Sequence, residues 1–139
     1  MLDIDGFKTI NDRVGHLGGD EILSSIGARL KHVLRSSDVR GRFGGDEFVI
    51  VLPDTPAAGA AYVAEALRRE IESLEVTIEG AIVRVTASVG VASAVPEEID
   101  PNSLVGRADR ALYAAKNAGR NTVCAAEIPA EDARLRRVS

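Results

Sequence analysis

The residues best suited to chemistry in this chain are two glycines followed by two carboxylates, Gly44, Gly45, Asp46 and Glu47. Glycine tolerates positive φ angles, so the pair predicts a tight two-residue hairpin turn with bare backbone that a ligand can approach. Two neighbouring carboxylates at such a tip repel each other unless a cation lies near them. The pattern therefore indicates either a metal-binding turn or an ordinary hairpin tip with solvated acids, and the stretch alone does not separate the two.

A second pair of carboxylates stands at the start of the chain, where Asp3 and Asp5 alternate with Leu2 and Ile4. This alternation predicts a strand with its apolar residues on one face and its acids on the other. Aspartate is unfavourable in strands, so two of them at a strand end need a reason. Metal coordination is one such reason, and a fraying terminus is the alternative.

Residues 6–13 are predicted to form a short helix, capped by Asp5 or Gly6. The free amides of its first turn would point at whatever Asp3 binds, which is the arrangement of a phosphate cradle. Lys8 lies in the same turn, and its spacing alone favours a solvated surface lysine.

The glycines within residues 15–19 predict a break before a second helix, and Asp20 suits cap or dipole chemistry in its first turn. Apolar residues at helical spacing over residues 22–34 predict an amphipathic helix. His16 has no second histidine nearby, which makes a metal ligand a poor interpretation and favours a hydrogen bond that braces the loop.

Arg35 and Asp38 lie in the turn before a strand predicted over residues 39–43, and a second strand over residues 48–52 follows the glycines. The two charged residues could pair on the surface, where such a pair contributes little. Alternatively, Arg35 could present its guanidinium fork to a phosphate or to a guanine edge.

The rest of the chain predicts a helix with Thr55 as its N-cap, a hairpin at Glu79 and Gly80 whose second strand continues to Val91, a further helix and a last strand. The order of elements predicts an α+β fold with a ferredoxin-like split βαβ core and a mixed central sheet flanked by helices. In such a sheet the first strand end and the glycine turn are neighbours. Asp3 and Asp46 are therefore expected to converge, with helix amides close by, as in a divalent-metal and polyphosphate site.

Composition excludes several classes of function. The 139 residues suffice for one domain, and a formal charge of −4 gives no electrostatic footprint for duplex nucleic acid. A single cysteine, Cys124, excludes internal disulfides and thiolate zinc clusters. The sequence contains no P-loop or GxGxxG pattern, no run of membrane-spanning length and no signal peptide, so a cytoplasmic location is expected.

Several spaced motifs together resemble the GGDEF family of diguanylate cyclases, whose signature is spelled by Gly44–Phe48. The matching blocks, in chain order, are residues 2–8, 10–12, 15–20, 42–48, 88–91, 108–116 and 119–121. The family's domain begins earlier, with a further helix and half-strand. The resemblance therefore implies an N-terminally truncated domain over residues 1–126, a polar tail over 127–139, and an upstream sensory domain in the full-length protein, which could tether it to a membrane.

This resemblance implies a nucleotidyl-cyclase-type fold and the condensation of two GTP molecules into cyclic di-GMP, with release of two pyrophosphates. Two domains would meet antiparallel in a homodimer, so that each ribose 3′-hydroxyl attacks the partner's α-phosphorus. The implied cofactor is Mg²⁺, with Mn²⁺ as an alternative, held by Asp3, the carbonyl of Ile4, and Asp46. Asp46 is also the implied proton acceptor, and Glu47 would support the metal.

The resemblance also implies which residues bind substrate. Asn11 and Asp20 would read the guanine edge and His16 would brace that pocket. Cationic residues would neutralise the triphosphate, with a catalytic role for Lys8. The implied substrate-binding set is Phe7, Asn11, His16, Asp20, Gly44, Gly45, Lys116 and Arg120, to which Lys8 is added as the catalytic cation.

Arg35 and Asp38 match the RxxD inhibitory site of the family, which implies product binding and feedback inhibition. Two other interpretations remain open: a non-catalytic cyclic di-GMP receptor that uses Arg35 and Asp38, and an inert truncated fragment. The intact acids at Asp46 and Glu47 argue against a pure receptor, because such a protein has no need of a metal site.

Overall fold

The computed structural model describes residues 1–96 and 100–128. The helices and strands within these residues are β1 (Leu2–Ile4), α1 (Phe7–Val33), β2 (Val39–Arg42), β3 (Glu47–Val51), α2 (Ala57–Glu72), β4 (Glu75–Ile78), β5 (Ala81–Arg84), β6 (Ala87–Val91), α3 (Pro101–Asn117) and β7 (Val123–Ala125).

The central sheet has five strands in the order β2-β3-β1-β6-β7. All neighbouring pairs are antiparallel except β6 and β7, which are parallel. Strands β4 and β5 form a separate two-stranded sheet. The predicted α+β fold with a mixed sheet and flanking helices is therefore confirmed, and the short strand β1 lies at its centre, between β3 and β6.

The core lies between the sheet and helices α1 and α2, where apolar residues of every layer are buried together. Helix α3 covers the sheet at β6, because Gly90 lets its backbone come unusually close. A Cβ atom on Gly90 would lie 2.2 Å from the carbonyl oxygen of Ala108 and 2.2 Å from the amide nitrogen of Leu112. Strand β1 is buried along its whole length, since it has neighbours on both sides and on both faces.

Helix α1 differs from the sequence prediction at its break. Only Gly15 leaves helical geometry, with φ 77° and ψ 170°, and the helix continues through Gly18 and Gly19. Asp20 therefore does not lie in a first helical turn. Of the two predicted caps, Gly6 is the N-cap, in the left-handed region, and Asp5 is not, because no side chain caps the helix.

Three other local predictions have definite outcomes. The hairpin at Glu79 and Gly80 is confirmed, with φ of 50° and 81°. Thr55 is not an N-cap, since Pro56 holds that position and α2 begins at Ala57. The continuous strand expected up to Val91 is divided into β5 and β6, which belong to different sheets.

An apolar cavity of about 550 Å³ lies where β3 and β6 run past the first residue of β1, bordered by α2 and α3. None of the acidic residues predicted to bind metal lines this cavity.

Within residues 1–96 and 100–128, no helix combines the length and apolarity needed to cross a membrane. Most of the predicted polar tail, residues 129–139, lies outside the described residues.

Candidate active site

The end of strand β1 meets the glycine turn directly. Asp3 is paired in register with Glu47 on β3 and with Ser88 on β6. The Ile4 amide donates a hydrogen bond to the carbonyl oxygen of Asp46 at 3.2 Å. This pairing brings together two carboxylates that are far apart in the sequence.

Asp3, Asp46 and Lys116 form the charged centre of the site. The Asp3 side chain is 10% exposed, and its Oδ2 accepts a hydrogen bond from Lys116 Nζ at 2.5 Å. Burial raises the pKa of the Asp3 carboxyl to about 6; the ammonium of Lys116 opposes this rise, and the neighbouring Asp46 carboxyl reinforces it. Two carboxylates in contact, with one partly protonated near neutral pH, are the environment that a cation would relieve.

Lys116 stands in the last turn of α3, where a cation is favoured by the helix dipole. Burial acts to lower the pKa of its ammonium, but the hydrogen bond and charge of Asp3, together with Asp46 and Glu47, outweigh burial and raise it. The close packing of α3 on β6 at Gly90 fixes the helix against the sheet. Lys116 is therefore a fixed cation at the carboxylate pair.

The glycine turn has a different geometry from the two-residue turn predicted. The Phe43 amide donates to the Glu47 carbonyl oxygen at 2.8 Å, so three residues link the strands. Only Gly44 has a positive φ, of 98°, and Gly45 does not need one. Arg42 Nε lies 3.1 Å from the carbonyl oxygens of both Gly44 and Gly45, which holds the turn in place.

The side chains at this site supply only some of the ligands that a divalent cation needs. Among the residues that the structure describes, no three acidic, histidine or cysteine side chains gather as a metal-binding group. Asp3 and Asp46 supply two hard oxygen donors, which suit Mg²⁺, whose remaining ligands are usually water or substrate phosphate. Burial and the neighbouring Asp46 carboxyl raise the pKa of Asp3 in spite of Lys116, so a further cation at this site would favour the ionised carboxylate.

The residues predicted to bind guanine are grouped around the break in α1. Asn11 Nδ2 and His16 Nδ1 are 3.1 Å apart, so the predicted bracing contact of His16 is present. Asn11 Oδ1 is buried, and no hydrogen-bond partner is found for it within the described residues. Phe7 is half-buried against the core, and Asp20 is exposed.

Gly19 allows this arrangement of Asn11 and Phe7. From the sequence, Gly19 was predicted only as part of a break between two helices. A Cβ atom on Gly19 would lie 2.1 Å from Asn11 Oδ1 and 3.3 Å from Phe7 Cζ. A glycine inside a helix with no break at that position is the sequence signal for such a close approach.

The two other predicted phosphate ligands are solvent-exposed. Lys8 lies in the first turn of α1 and has no hydrogen bond or ion pair among the described residues. Arg120 follows the end of α3 in the left-handed region, with φ 64°. Of the predicted cations, only Lys116 contacts a site carboxylate.

Arg35 and Asp38 form the predicted pair at the far end of β2. Asp38 is buried, and its Oδ2 accepts the Arg35 amide at 2.8 Å. Arg35 Nη2 lies 3.4 Å from Asp38 Oδ1 and 2.6 Å from Thr55 Oγ1. The role of Thr55 as a partner of Arg35 was missed, because its position before Pro56 resembles an N-cap.

Asp5 is a structural residue and does not join the metal pair. Its carboxylate accepts hydrogen bonds from the hydroxyls of Thr86 and Ser88, both at 2.7 Å, and from the Asn121 amide at 2.9 Å. These three donors occupy both carboxylate oxygens. The sequence shows only that two aspartates lie near each other, not which of them is engaged by the protein.

Comparison with known proteins identifies the family. The family described as "Diguanylate cyclase, GGDEF domain" matches residues 1–122. Diguanylate cyclase A of Treponema denticola is 42% identical over 123 residues, which are 88% of this chain and 33% of that protein. Response regulator PleD of Caulobacter vibrioides is 41% identical over 125 residues, 88% of this chain and 28% of that protein.

Two solved structures of diguanylate cyclases support the same family assignment. Diguanylate cyclase SiaD from Pseudomonas aeruginosa, in complex with its activator SiaC, superposes with a TM-score of 0.86 at 40% identity, covering 90% of this chain and 48% of that one. The GGDEF domain of DgcB from Caulobacter crescentus, in complex with c-di-GMP, gives 0.86 at 36% identity, covering 91% and 75%. The chain spans about a third of the length of the curated relatives above. With the signature turn, the sheet order and these matches in agreement, the chain belongs to the GGDEF domain family of diguanylate cyclases.

Proposed function

We propose that this domain condenses two molecules of GTP into cyclic di-GMP. Each 3′-hydroxyl oxygen forms a bond to the α-phosphorus of the other nucleotide, each α-phosphorus loses pyrophosphate, and each hydroxyl gives up one proton. The observation that carries the proposal is the convergence of Asp3, Asp46 and Lys116 beside the glycine turn. Family membership supports the same activity.

In this proposal Asp3, Asp46 and the carbonyl oxygen of Ile4 hold a divalent cation, Mg²⁺, with support from Glu47. When bound, the cation supplies charge that stabilises the phosphate oxygens during transfer. Asp46 accepts the proton of the attacking hydroxyl, and Lys116 changes partner from Asp3 to a phosphate oxygen. Lys8 and Arg120, both exposed, neutralise the rest of the triphosphate, and Gly44 and Gly45 leave room for it.

Asn11 and Asp20 are proposed to select guanine over adenine. The amide oxygen of Asn11 has no hydrogen-bond partner in the described part of the chain, which supports this role, because a buried acceptor without a partner costs free energy that a ligand donor would recover. Guanine presents donors at N1 and N2, which suit an amide oxygen and a carboxylate. His16 holds the Asn11 side chain in place.

Arg35 and Asp38 are proposed to bind the product and inhibit the enzyme. The buried Asp38 supports this role, because it fixes the backbone of Arg35 while the Arg35 side chain remains 57% exposed. A guanidinium fork suits both a phosphate and the edge of a guanine base. The same site would serve a non-catalytic receptor, so turnover must be measured separately from binding.

The test is to incubate the purified chain with GTP and Mg²⁺ and to measure cyclic di-GMP and pyrophosphate by chromatography. In this proposal each domain binds one GTP and each product molecule contains two nucleotides, so a homodimer must form. The rate of product formation should therefore rise more steeply than linearly with protein concentration. Asp46→Asn should abolish product formation while leaving cyclic di-GMP binding unchanged. Binding without product in the native chain would favour a receptor, and the absence of both would favour an inert fragment.

A further inference from the structure

Asp3 in β1 and Asp5 just after it each hold a residue of the segment that ends α3. Asp3 Oδ2 accepts from Lys116 Nζ at 2.5 Å, and Asp5 Oδ2 accepts from the Asn121 amide at 2.9 Å. Thr86 and Ser88 hold the Asp5 carboxylate in place on β6. The segment 116–121 is therefore attached at one end to Asp3 of β1 and at the other to Asp5, which follows β1.

The Asn121 side chain extends this attachment to α2. Its Oδ1 accepts from Arg68 Nη1 at 2.7 Å, and its Nδ2 donates to Glu72 Oε1 at 2.7 Å. Arg68 is 11% exposed and also donates to Glu65 and Glu72. One side chain thus connects the loop after α3 to an ion-pair network on a different helix.

The backbone of this loop needs such support. Arg120 and Asn121 are consecutive non-glycine residues in the left-handed region, with φ of 64° and 45°. That region is unfavourable for residues with a Cβ atom and persists where surrounding contacts enforce it. The Arg120 amide donates to the Ala115 carbonyl oxygen at 3.2 Å, but the Arg120 side chain has no hydrogen bond or ion pair within the described residues. The side-chain contacts that support this loop are therefore those of Asn121.

We infer that Asn121 is a positioning residue for triphosphate binding: with Asp5 and Arg68, it fixes the loop that follows Lys116 and carries Arg120. This inference rests on the proposed function. Asn121 would not touch the substrate. It would hold two cations in the geometry that the phosphates require. The loop would then lose its conformational entropy when the domain folds rather than when the nucleotide binds.

The first test uses Asn121→Gly, which tolerates the positive φ but removes both side-chain hydrogen bonds. We expect the amides of residues 116–122 to exchange hydrogen faster in the unliganded domain, while the β1 and β3 amides keep their protection. Affinity for a non-hydrolysable GTP analogue with Mg²⁺ should fall about tenfold, as expected for losing one well-placed charged contact. In turnover, KM should rise more than kcat falls, and the affinity for cyclic di-GMP at Arg35 should not change.

A matched pair on α2 separates positioning from general stability. Arg68→Gln removes the contact to Asn121 together with the ion pairs to Glu65 and Glu72, whereas Arg69→Gln removes an exposed ion pair to the same Glu65 and leaves Asn121 untouched. We expect Arg68→Gln to weaken analogue binding and Arg69→Gln to leave it unchanged. Equal effects of the two variants, or unchanged exchange over 116–122 in Asn121→Gly, would overturn the inference. A further outcome is that the native chain binds no nucleotide, although hydrogen exchange over residues 116–122 is faster in Asn121→Gly. That result would contradict both the proposed function and the role of Asn121 in binding, and it would support only the attachment of the loop.

Discussion

Lys116 Nζ lies 2.5 Å from Asp3 Oδ2, so the lysine occupies an oxygen that the proposed metal would use. Asp3 is buried and touches a second carboxylate, Asp46, so it needs a positive partner in every state. The geometry indicates an exchange in which Lys116 neutralises Asp3 in the free domain and passes to a phosphate when a cation arrives. Loading of the cation and of the nucleotide would then be linked.

Lys116→Ala should make the stability of the domain depend more strongly on Mg²⁺. Removing the ammonium leaves Asp3 and Asp46 without a cation, which should cost about 1 kcal/mol because Lys116 is 35% exposed. Millimolar Mg²⁺ should raise the melting temperature of this variant more than that of the native domain. Calorimetric melting with and without Mg²⁺ measures the difference. Lys8→Ala is the matched control, and an equal response of both variants to Mg²⁺ would contradict the exchange.

Gly19→Ala should weaken nucleotide binding without weakening the fold. The new Cβ atom would lie 2.1 Å from Asn11 Oδ1, so the Asn11 side chain must move, while alanine is the better helix former by about 1 kcal/mol. We expect affinity for a GTP analogue to fall roughly tenfold, the scale of one lost hydrogen bond in a buried site.

Gly27→Ala is the control for that substitution, because Gly27 lies in the same helix and a Cβ atom there meets nothing within 4 Å. It should raise the melting temperature and leave GTP affinity unchanged. Unaltered GTP affinity in Gly19→Ala would remove Asn11 from the guanine pocket.

Thr55 should tune product inhibition through Arg35. Thr55 Oγ1 accepts from Arg35 Nη2 at 2.6 Å and donates to the Pro53 carbonyl, so it fixes one arm of the guanidinium. Arg35→Ala should relieve inhibition without loss of initial rate. Thr55→Ala should shift the inhibition constant by a smaller factor, about threefold, since it removes only one exposed hydrogen bond. Progress curves with added cyclic di-GMP measure both. Inhibition that is unchanged in Arg35→Ala would place the product elsewhere.

Glu65 should contribute stability that disappears in acid. The hydrogen bond from Arg68, opposed by partial burial and assisted by Arg69, lowers the pKa of the Glu65 carboxyl from 4.5 to about 2. A lowered folded-state pKa gives stability that is fully present above pH 4.5 and is lost as the pH falls toward 2. Glu65→Gln should therefore melt at a lower temperature than the native domain at pH 7.

The difference between the two proteins should shrink steadily between pH 4.5 and pH 2, which melting curves across that range would show. Because the Glu65 side chain is 38% exposed, its effect at pH 7 should stay near or below about 1 kcal/mol. A difference that does not depend on pH would mean that Glu65 acts through packing alone. Glu70→Gln, which breaks the single exposed pair with Arg29, controls for loss of a surface charge.

Most helices and strands, and the carboxylates of the site, could be predicted from local patterns in the sequence. Apolar periodicity and glycine pairs act locally, so the helices, the Glu79–Gly80 hairpin and the turn before Asp46 follow from neighbouring residues. The pairing of the first strand with the glycine turn followed from strand order, and Asp3 does meet Asp46.

The different roles of residues that look alike in the sequence depend on long-range packing. Asp3 and Asp5 look alike in the sequence, yet Asp5 is engaged by donors more than 80 positions away, including Asn121, 116 positions along the chain. The contact of Thr55 with Arg35 and the space that Gly19 leaves for Asn11 are likewise set by packing. Local patterns report backbone preference and the face that is buried, whereas hydrogen-bond partners depend on distances that exist only once the chain has folded.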